Sequence, residues 1–564
     1  MLDLVVRNGT IVDGSGLPGY RGDIGVNDRR IVSVGRPLAT AEAMTVVDAT
    51  GRVVAPGFVD PHTHYDAQVC FDPYAFPAIE HGITTVVTGN CSLSLAPVRP
   101  EHRDRFSRMF RLIEEMPEAA FDKGVDWRWG NGFGAMADAV AADIALNVTP
   151  LVGHSVIRLF VMGDASQERA ATSDELGAMC DLLRECLDSG AVGMSTSFVD
   201  MDDSLRPVPS RWAHHDELRA LCGVLGERGR MLQIVHEFFD AGLTVARVEM
   251  LGDLSREYGI PTTLSPLFHN AASAAGLAQV MAAVEREWAL GGREWPQVQT
   301  RPIDISFTFD QRSLMFLVIP GWWPILSLPS KADKLAALRD AAMRAKLIGG
   351  LEMLASAPGG LSAASFVVRD VVLDRNRDLI GRRLGEIAVE RGTTANDLLI
   401  DLAIEEDLGT WFVRADIGHS DPKAVGELLA HRYVHVGASD GGAHVGSFST
   451  YGDTGLLLSR FVRDTGALRL EEAIKKITHD PCVIWGLRNR GLLAEGYAAD
   501  ICVFDPATID RGPEIGSNDF PGAGLRWIRR SVGVDAVVVN GTVAWTQAAG
   551  YAPGARSGVI ASRY

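Results

Sequence analysis

Residues 53–64 read VVAPGFVDPHTH, and this stretch decides the fold. An apolar, strand-like run from Val53 to Asp60 ends in Pro61 and two histidines one residue apart. Side chains two apart on extended chain share a face, so His62 and His64 aim both rings into one space. Far downstream, residues 436–444 read VGASDGGAH, and Asp440 ends a second apolar run. A carboxylate arriving from so late in the chain can close a metal site that two imidazoles begin. A (β/α)8 barrel builds hydrolytic centres in this way, at the C-terminal ends of its strands.

The rest of the chain supports an α/β reading. Apolar strand-like runs alternate with helical stretches, as βα units require. Strands are expected to end near Asp60, Gly89, His154, Ser197, Glu237, His269, Phe309 and Asp440, which is the number a closed barrel needs. Both chain ends alternate apolar and polar residues between Gly-rich turns. Examples are LDLVVRNGTIVDGSG at 2–16 and DAVVVNGTVAWT at 535–546. The expected organisation is therefore a (β/α)8 TIM-like barrel over 57–480 and a small β-sandwich formed by 1–56 and 481–545. An insertion over about 310–430 precedes the last barrel strand, and a loose C-terminal tail covers 546–564.

Cys91 ends the second expected strand, in VVTGNCSLSLAP at 86–97. A thiolate can bridge two metal ions, and a metal lowers its pKa. Many binuclear barrel hydrolases use a carboxylated lysine as the bridge. The chain has seven lysines, and none lies between Lys123 and Lys331, so Cys91 is the better candidate. His236 in MLQIVHEF and His269 in TTLSPLFHN each follow a β-like run. Either alone reads more readily as a structural histidine; with His62, His64, Cys91 and Asp440 they complete a metal set. A thiolate in that set favours zinc, one or two per subunit. Asp440 is also the candidate catalytic base. His444 is a candidate contact to substrate or leaving group. His154 and Ser195 could line the pocket or only support it. Trp322 and Trp323 could roof it or only pack the insertion.

Bulk properties exclude other classes. A formal net charge of −17 argues against nucleic acid or an anionic membrane as partner. Seven irregularly spaced cysteines do not read as a disulfide framework. The N-terminal residues carry no signal-peptide pattern. The most apolar stretch, 314–328, is broken by Pro320, Gly321 and Pro324 and is too short to span a bilayer. A cytoplasmic enzyme acting on a small molecule is expected, with homo-oligomerisation left open.

These residues together carry a resemblance. GFVDPHTHYD, TTVVTGNCSLSLAP, LVGHSVIR, SGAVGMSTS, ASDGGAH and RGLLAEGYAADICVFDP resemble, in order and spacing, the N-acyl-D-amino-acid deacylase (D-aminoacylase-like) branch of the amidohydrolase superfamily, over about residues 2–545. The resemblance implies zinc at the mouth of a barrel, held by His62, His64, Cys91, His236, His269 and Asp440. Cys91 would then be the bridging position and Asp440 the acid and base. It implies hydrolysis of a linear amide by zinc-activated water. The chain departs from that branch in its carboxylate-holding groups. Asn270 and Ala271 follow His269 where D-aminoacylases have a lysine, no arginine occurs in GGAHVGSFSTYGD, and Phe307 stands where a tyrosine is expected. An altered substrate handle, amide-blocked or bulky, follows from those losses. Two other readings stay open: a cyclic-amide hydrolase of the hydantoinase or dihydroorotase kind, and a catalytically dead relative acting in assembly.

Overall fold

A computed structural model describes residues 1–38, 43–238, 240–270, 273–317, 319–356, 361–415 and 417–563, with the side chain of residue 314 left aside. Its centre is a ring of parallel strands. Phe58–Asp60 pairs with Ile83–Thr88, which pairs with Asn147–Pro150. One residue later Val152–Gly153 continues that third strand and pairs with Gly193–Ser197. Gly193–Ser197 pairs with Met231–Val235, and that strand with Thr262–Ser265. A parallel bridge from Thr262 to Glu294 and a bond from Leu267 N to Gln297 O (2.9 Å) lead on to Gln297–Val298. This strand pairs with His435–Val436. A parallel bridge between Thr63 and Gly441 joins the last strand to the first. The eight strands found among the described residues thus close on themselves.

The strands form because their residues suit burial on both faces. Ile83–Thr88 is ITTVVT, β-branched throughout and buried throughout. The helices between them carry their own start and stop signals. Ser173–Asp188 begins with a capping box between Thr172 and Glu175. Ala241–Tyr258 is capped by Asp240 and stopped by Gly259 in the left-handed region.

The seventh strand differs from expectation. The Phe309 run is not in the barrel: Ile305–Phe307 pairs antiparallel with Trp411–Arg414, in a separate sheet completed by Val367–Asp370. Aromatic packing explains this, since the Phe307 ring meets those of Phe309, Phe316, Phe366 and Phe412 inside the insertion's own core. The true strand is hard to read because it carries glutamine. Gln297 satisfies itself internally, donating to Thr263 Oγ1 (3.1 Å) and accepting from Ala438 N (3.1 Å).

Both chain ends build one nine-stranded sheet. Leu4, Val6, Ile24, Val54, Ile501 and Val538 share a core within it. The alternate residues Val53, Ala55, Cys502, Phe504 and Val537 join the large barrel core instead. The tail also differs from expectation, because it is docked and not loose. Val148 N donates to Val559 O (2.9 Å), and Ile560 and Ala561 are buried. Its small residues allow this close approach: a Cβ at Gly558 would lie 2.1 Å from Leu146 O. No helix among the described residues is long and apolar enough to cross a membrane.

Candidate metal centre

Three barrel-mouth side chains converge. His62, His64 and Cys91 each offer a ligand atom, all within 4.8 Å of one another. Cys91 Sγ lies 3.4 Å from His62 Nε2 and 3.7 Å from His64 Nε2. The Asp440 carboxylate joins them, with Oδ1 3.3 Å from His62 Nε2 and 3.8 Å from His64 Nε2. The histidines lie just past the first strand. Thr63 between them is held on both sides, donating its N to Val87 O (3.0 Å) and bridging Gly441. That extended backbone keeps both rings on one side, with ring centroids 5.3 Å apart.

Cys91 sits in a strained turn. Gly89, Cys91 and Ser92 all have positive φ (76°, 54° and 65°). A non-glycine residue there costs energy that the surroundings must offset. Asn90 Nδ2 donates to Val87 O (3.0 Å) and Thr63 O (3.2 Å), and Cys91 N donates to Gln233 Oε1 (3.3 Å). Ser195 completes the brace, donating to Gly89 O and accepting from Ser92 N (3.1 Å). Ser195 therefore holds the cysteine turn and is not a wall of the pocket. Gly153 lets the turn come close: a Cβ there would lie 2.2 Å from Ser92 O.

His236 directly follows the fifth strand, and both its ring nitrogens are buried without a protein partner. Burial lowers its pKa to about 4, so the ring is neutral near pH 7 and one of its nitrogens is free as a lone-pair donor. His269 lies beyond the sixth strand with Nδ1 buried and unpartnered. Neither belongs to the tight three-residue group. Two orphaned buried imidazoles at adjacent strand ends nevertheless suit a cation.

His154 behaves differently. It opens the helix His154–Met162, and both nitrogens are engaged, Nδ1 with Thr196 Oγ1 (3.0 Å) and Nε2 with Glu217 Oε1 (2.8 Å). Glu217 also pairs with the buried Arg158. His154 thus ties a helix to the barrel wall. Trp322 is fully buried, packs at a tilt against the rings of Phe309 and Phe316, and donates Nε1 to Leu347 O (3.0 Å). It packs the insertion and roofs nothing. Trp323 lines a cavity of about 520 Å³. Phe307 is in the insertion core and does not take a tyrosine's place after the seventh strand. Arg301 occupies that region, 2% exposed, with Nη2 donating to Ser439 O (2.5 Å) and Nε 3.4 Å from Asp453. Ala271 lies outside the described residues.

Two acids and a histidine escaped the sequence reading. Glu114 is 1% exposed, and its Oε1 lies 3.1 Å from His64 Nδ1. The next residue, Glu115, accepts from Ser447 Oγ (2.8 Å) and contacts His444 Nδ1 at 3.1 Å. His419, from the insertion, donates its backbone N to His269 O (2.7 Å), and burial lowers its ring pKa to about 3. No local motif marks these three; their partners are far away in sequence.

The electrostatics follow from this arrangement. Burial disfavours charge on His62 and lowers its pKa to about 4. Burial opposes charge on His64 as well, but Glu114 and Cys91 outweigh it and raise that ring well above the usual range. Burial pushes the Cys91 thiol up. Asp440 is buried too, yet contact with His64 and the charges of His62 and His444 hold it well below the usual carboxylate range. Burial likewise opposes charge on His444, and its bond to Glu115 raises it nonetheless. The site therefore offers an ionised carboxylate and a cation-leaning imidazole beside a set of nitrogen and sulfur donors.

Comparison with known proteins agrees with this chemistry. The sequence model of the amidohydrolase family matches residues 45–256 and 334–544. A D-aminoacylase from Alcaligenes xylosoxydans xylosoxydans is 30% identical over 551 residues, covering 97% of this chain and 95% of that protein. An N-acyl-D-glutamate deacylase from the same organism is 30% identical over 563 residues, covering 97% and 94%. Among solved structures, the N-acyl-D-glutamate deacylase of Bordetella bronchiseptica aligns with a TM-score of 0.67 and 26% identity over 100% of this chain and 99% of its own. That structure holds zinc and a phosphonate mimic of the tetrahedral intermediate.

Proposed function

Because the chain belongs to the amidohydrolase family, we propose that it is a zinc-dependent hydrolase of a linear carbon–nitrogen amide bond in a small N-acyl compound. One observation carries the reading: His62, His64 and Cys91 converge within 4.8 Å, with an ionised Asp440 in contact with both histidines. The donor set fits zinc, since imidazole and thiolate suit a borderline metal. The orphaned nitrogens of His236 and His269 supply further ligands. Bound zinc supplies Lewis acidity and a nucleophile available at neutral pH.

The protein's own groups perform the rest. Asp440 is held ionised, so it accepts the proton of the attacking water and returns it to the departing nitrogen. The Glu114 carboxylate, 3.1 Å from His64 Nδ1, acts on that ring through its charge and favours a proton on Nδ1, which leaves Nε2 for the centre. His444, biased toward its protonated form by Glu115, faces Asp440 and offers a proton-bearing ring to negative charge that develops on the substrate.

The handle that holds the substrate differs from that of D-aminoacylases. This part rests on Asn270 after His269 and on the absence of arginine from residues 441–453. A cytoplasmic setting accompanies the reading, supported by seven free cysteines.

The test is hydrolysis of a panel by purified protein with its metal counted. The panel holds N-acyl-D- and N-acyl-L-amino acids, their amide- and ester-blocked forms, and cyclic imides. Cleavage of blocked or bulky linear amides above the free acids is expected. Stoichiometric zinc with no cleavage of any linear amide would overturn the proposal.

A further inference from the structure

The cavity of about 520 Å³ reaches the neighbourhood of the candidate centre through Glu115, which lines it and contacts His444. Glu115 and Ser447 form the shared wall. The barrel side contributes Leu112 and Met116, and the insertion contributes Phe307, Trp323 and Trp411. A volume of this size accommodates a drug-sized group. These five side chains give the cavity an apolar side that fits a flat or aliphatic body, and polar residues such as Thr308, Gln311 and Ser313 line the rest.

Charge in the cavity is asymmetric. Arg108 pairs with Asp104 and with Asp203 (3.4 Å), and Arg111 pairs with Glu118 (2.8 Å) and Asp122 (3.5 Å). Glu115 is occupied by His444 and Ser447. Arg312 differs. It lines the cavity with its guanidinium 5.8 Å from the Trp323 ring centroid, and it makes no ion pair or hydrogen bond among the described residues. Stacking orients a guanidinium and leaves its edge donors open.

We propose that this cavity receives the part of the substrate remote from the scissile bond, an apolar body ending in an anionic group that Arg312 binds. The proposal rests on the hydrolase reading above and deepens it. On this reading the anion is not the carboxylate next to the scissile bond that a D-aminoacylase clamp would hold; it is read at a distance, and the insertion carries the reader.

The experiment compares paired amides that differ only in a terminal carboxylate. One series carries it on the acyl side, as hexanoyl against 5-carboxypentanoyl amides. The other carries it on the amine side, as hexylamine against 6-aminohexanoate amides. In at least one series the carboxylated member is expected to show kcat/KM about fivefold or more above its neutral partner, the size of one charge-assisted contact at a partly exposed site. In Arg312→Ala the ratio should fall to about one, and in Arg312→Glu below one. A ratio near one in both wild-type series, or a ratio that survives both substitutions, would overturn the proposal. Calorimetric binding of adipate against hexanoate, and of 6-aminohexanoate against hexylamine, reads the same selectivity without turnover. Failure of all cleavage with this binding ratio intact therefore refutes the hydrolase reading and leaves the cavity assignment standing.

Discussion

Replacing Glu114 tests the centre at its least obvious point. Its side chain is 1% exposed and 3.1 Å from the far nitrogen of His64, on the opposite edge of the ring from Cys91 and Asp440. An acceptor in that position fixes the ring's orientation and raises its basicity as a ligand. Losing such a partner typically costs 10–100-fold in metal affinity, or about 1.4–2.8 kcal/mol. Glu114→Gln keeps the volume and one acceptor oxygen, so it should fall near the lower end, about tenfold. Glu114→Ala removes both and should approach about 100-fold. The backbone carbonyl of Glu114, which accepts from His444 N (2.7 Å), is untouched by either change. Zinc affinity would be measured by competition with a chromophoric chelator near neutral pH, with metal-free melting curves confirming an intact fold. Well-folded variants that bind zinc as wild type does would refute the role given to Glu114 and weaken the assignment of His64 as a ligand.

Asp440→Asn should bind zinc comparably and lose about 10²–10⁴-fold in kcat, the range for a general acid–base group; a near-wild-type rate at matched metal content would remove Asp440 from the chemistry. Gly153→Ala should shift the cysteine turn, since its Cβ would meet Ser92 O at 2.2 Å, and the variant should purify with less zinc per chain; unchanged stoichiometry would show that the turn yields without moving Cys91. Acid stability should depend on Glu217, whose carboxyl burial would raise but His154 and Arg158 hold below its ordinary 4.5. Its contribution is therefore complete above about 4.5 and is lost as pH falls through the lower folded-state value. Melting curves should show wild type losing Tm more steeply below pH 4.5 than Glu217→Gln, and equal slopes would refute the assignment.

The sequence carried most of the barrel because its strands end in chemistry. Val53–Asp60, the run before Cys91 and the run before Asp440 are apolar and close on residues that have no reason to be there structurally. The seventh strand hid because its residues are polar and satisfied only by partners on neighbouring strands, Thr263 and Ala438. The neighbouring aromatic run looked more like a strand and became one, but in the insertion. His154 directly follows a strand and Ser195 lies in the middle of one, yet their hydrogen-bond partners, not their positions, decide their work. Such partners are long-range: Glu217 lies 63 residues from His154. Periodicity and motif carry no information at that separation.

The same limit hid Glu114 and Glu115, and these two residues bind the centre together. They follow the helix Arg103–Ile113 and reach opposite ends of the chain. Glu114 holds His64, from the first strand; Glu115 holds His444, from the loop after the eighth. The C-terminal end of that helix adds negative potential at the same place, which favours protonated imidazole there. Consecutive acids therefore impose unlike demands on two histidines. Near Cys91 and Asp440 a bound cation would take the other nitrogen of His64, and Glu114 would then orient a ligand. Among the described residues no such donor set surrounds His444, and Glu115 biases it toward its protonated form. One short turn thus contacts both the imidazole proposed to face the metal and one biased toward its protonated form, and the chain needs no local motif to achieve it.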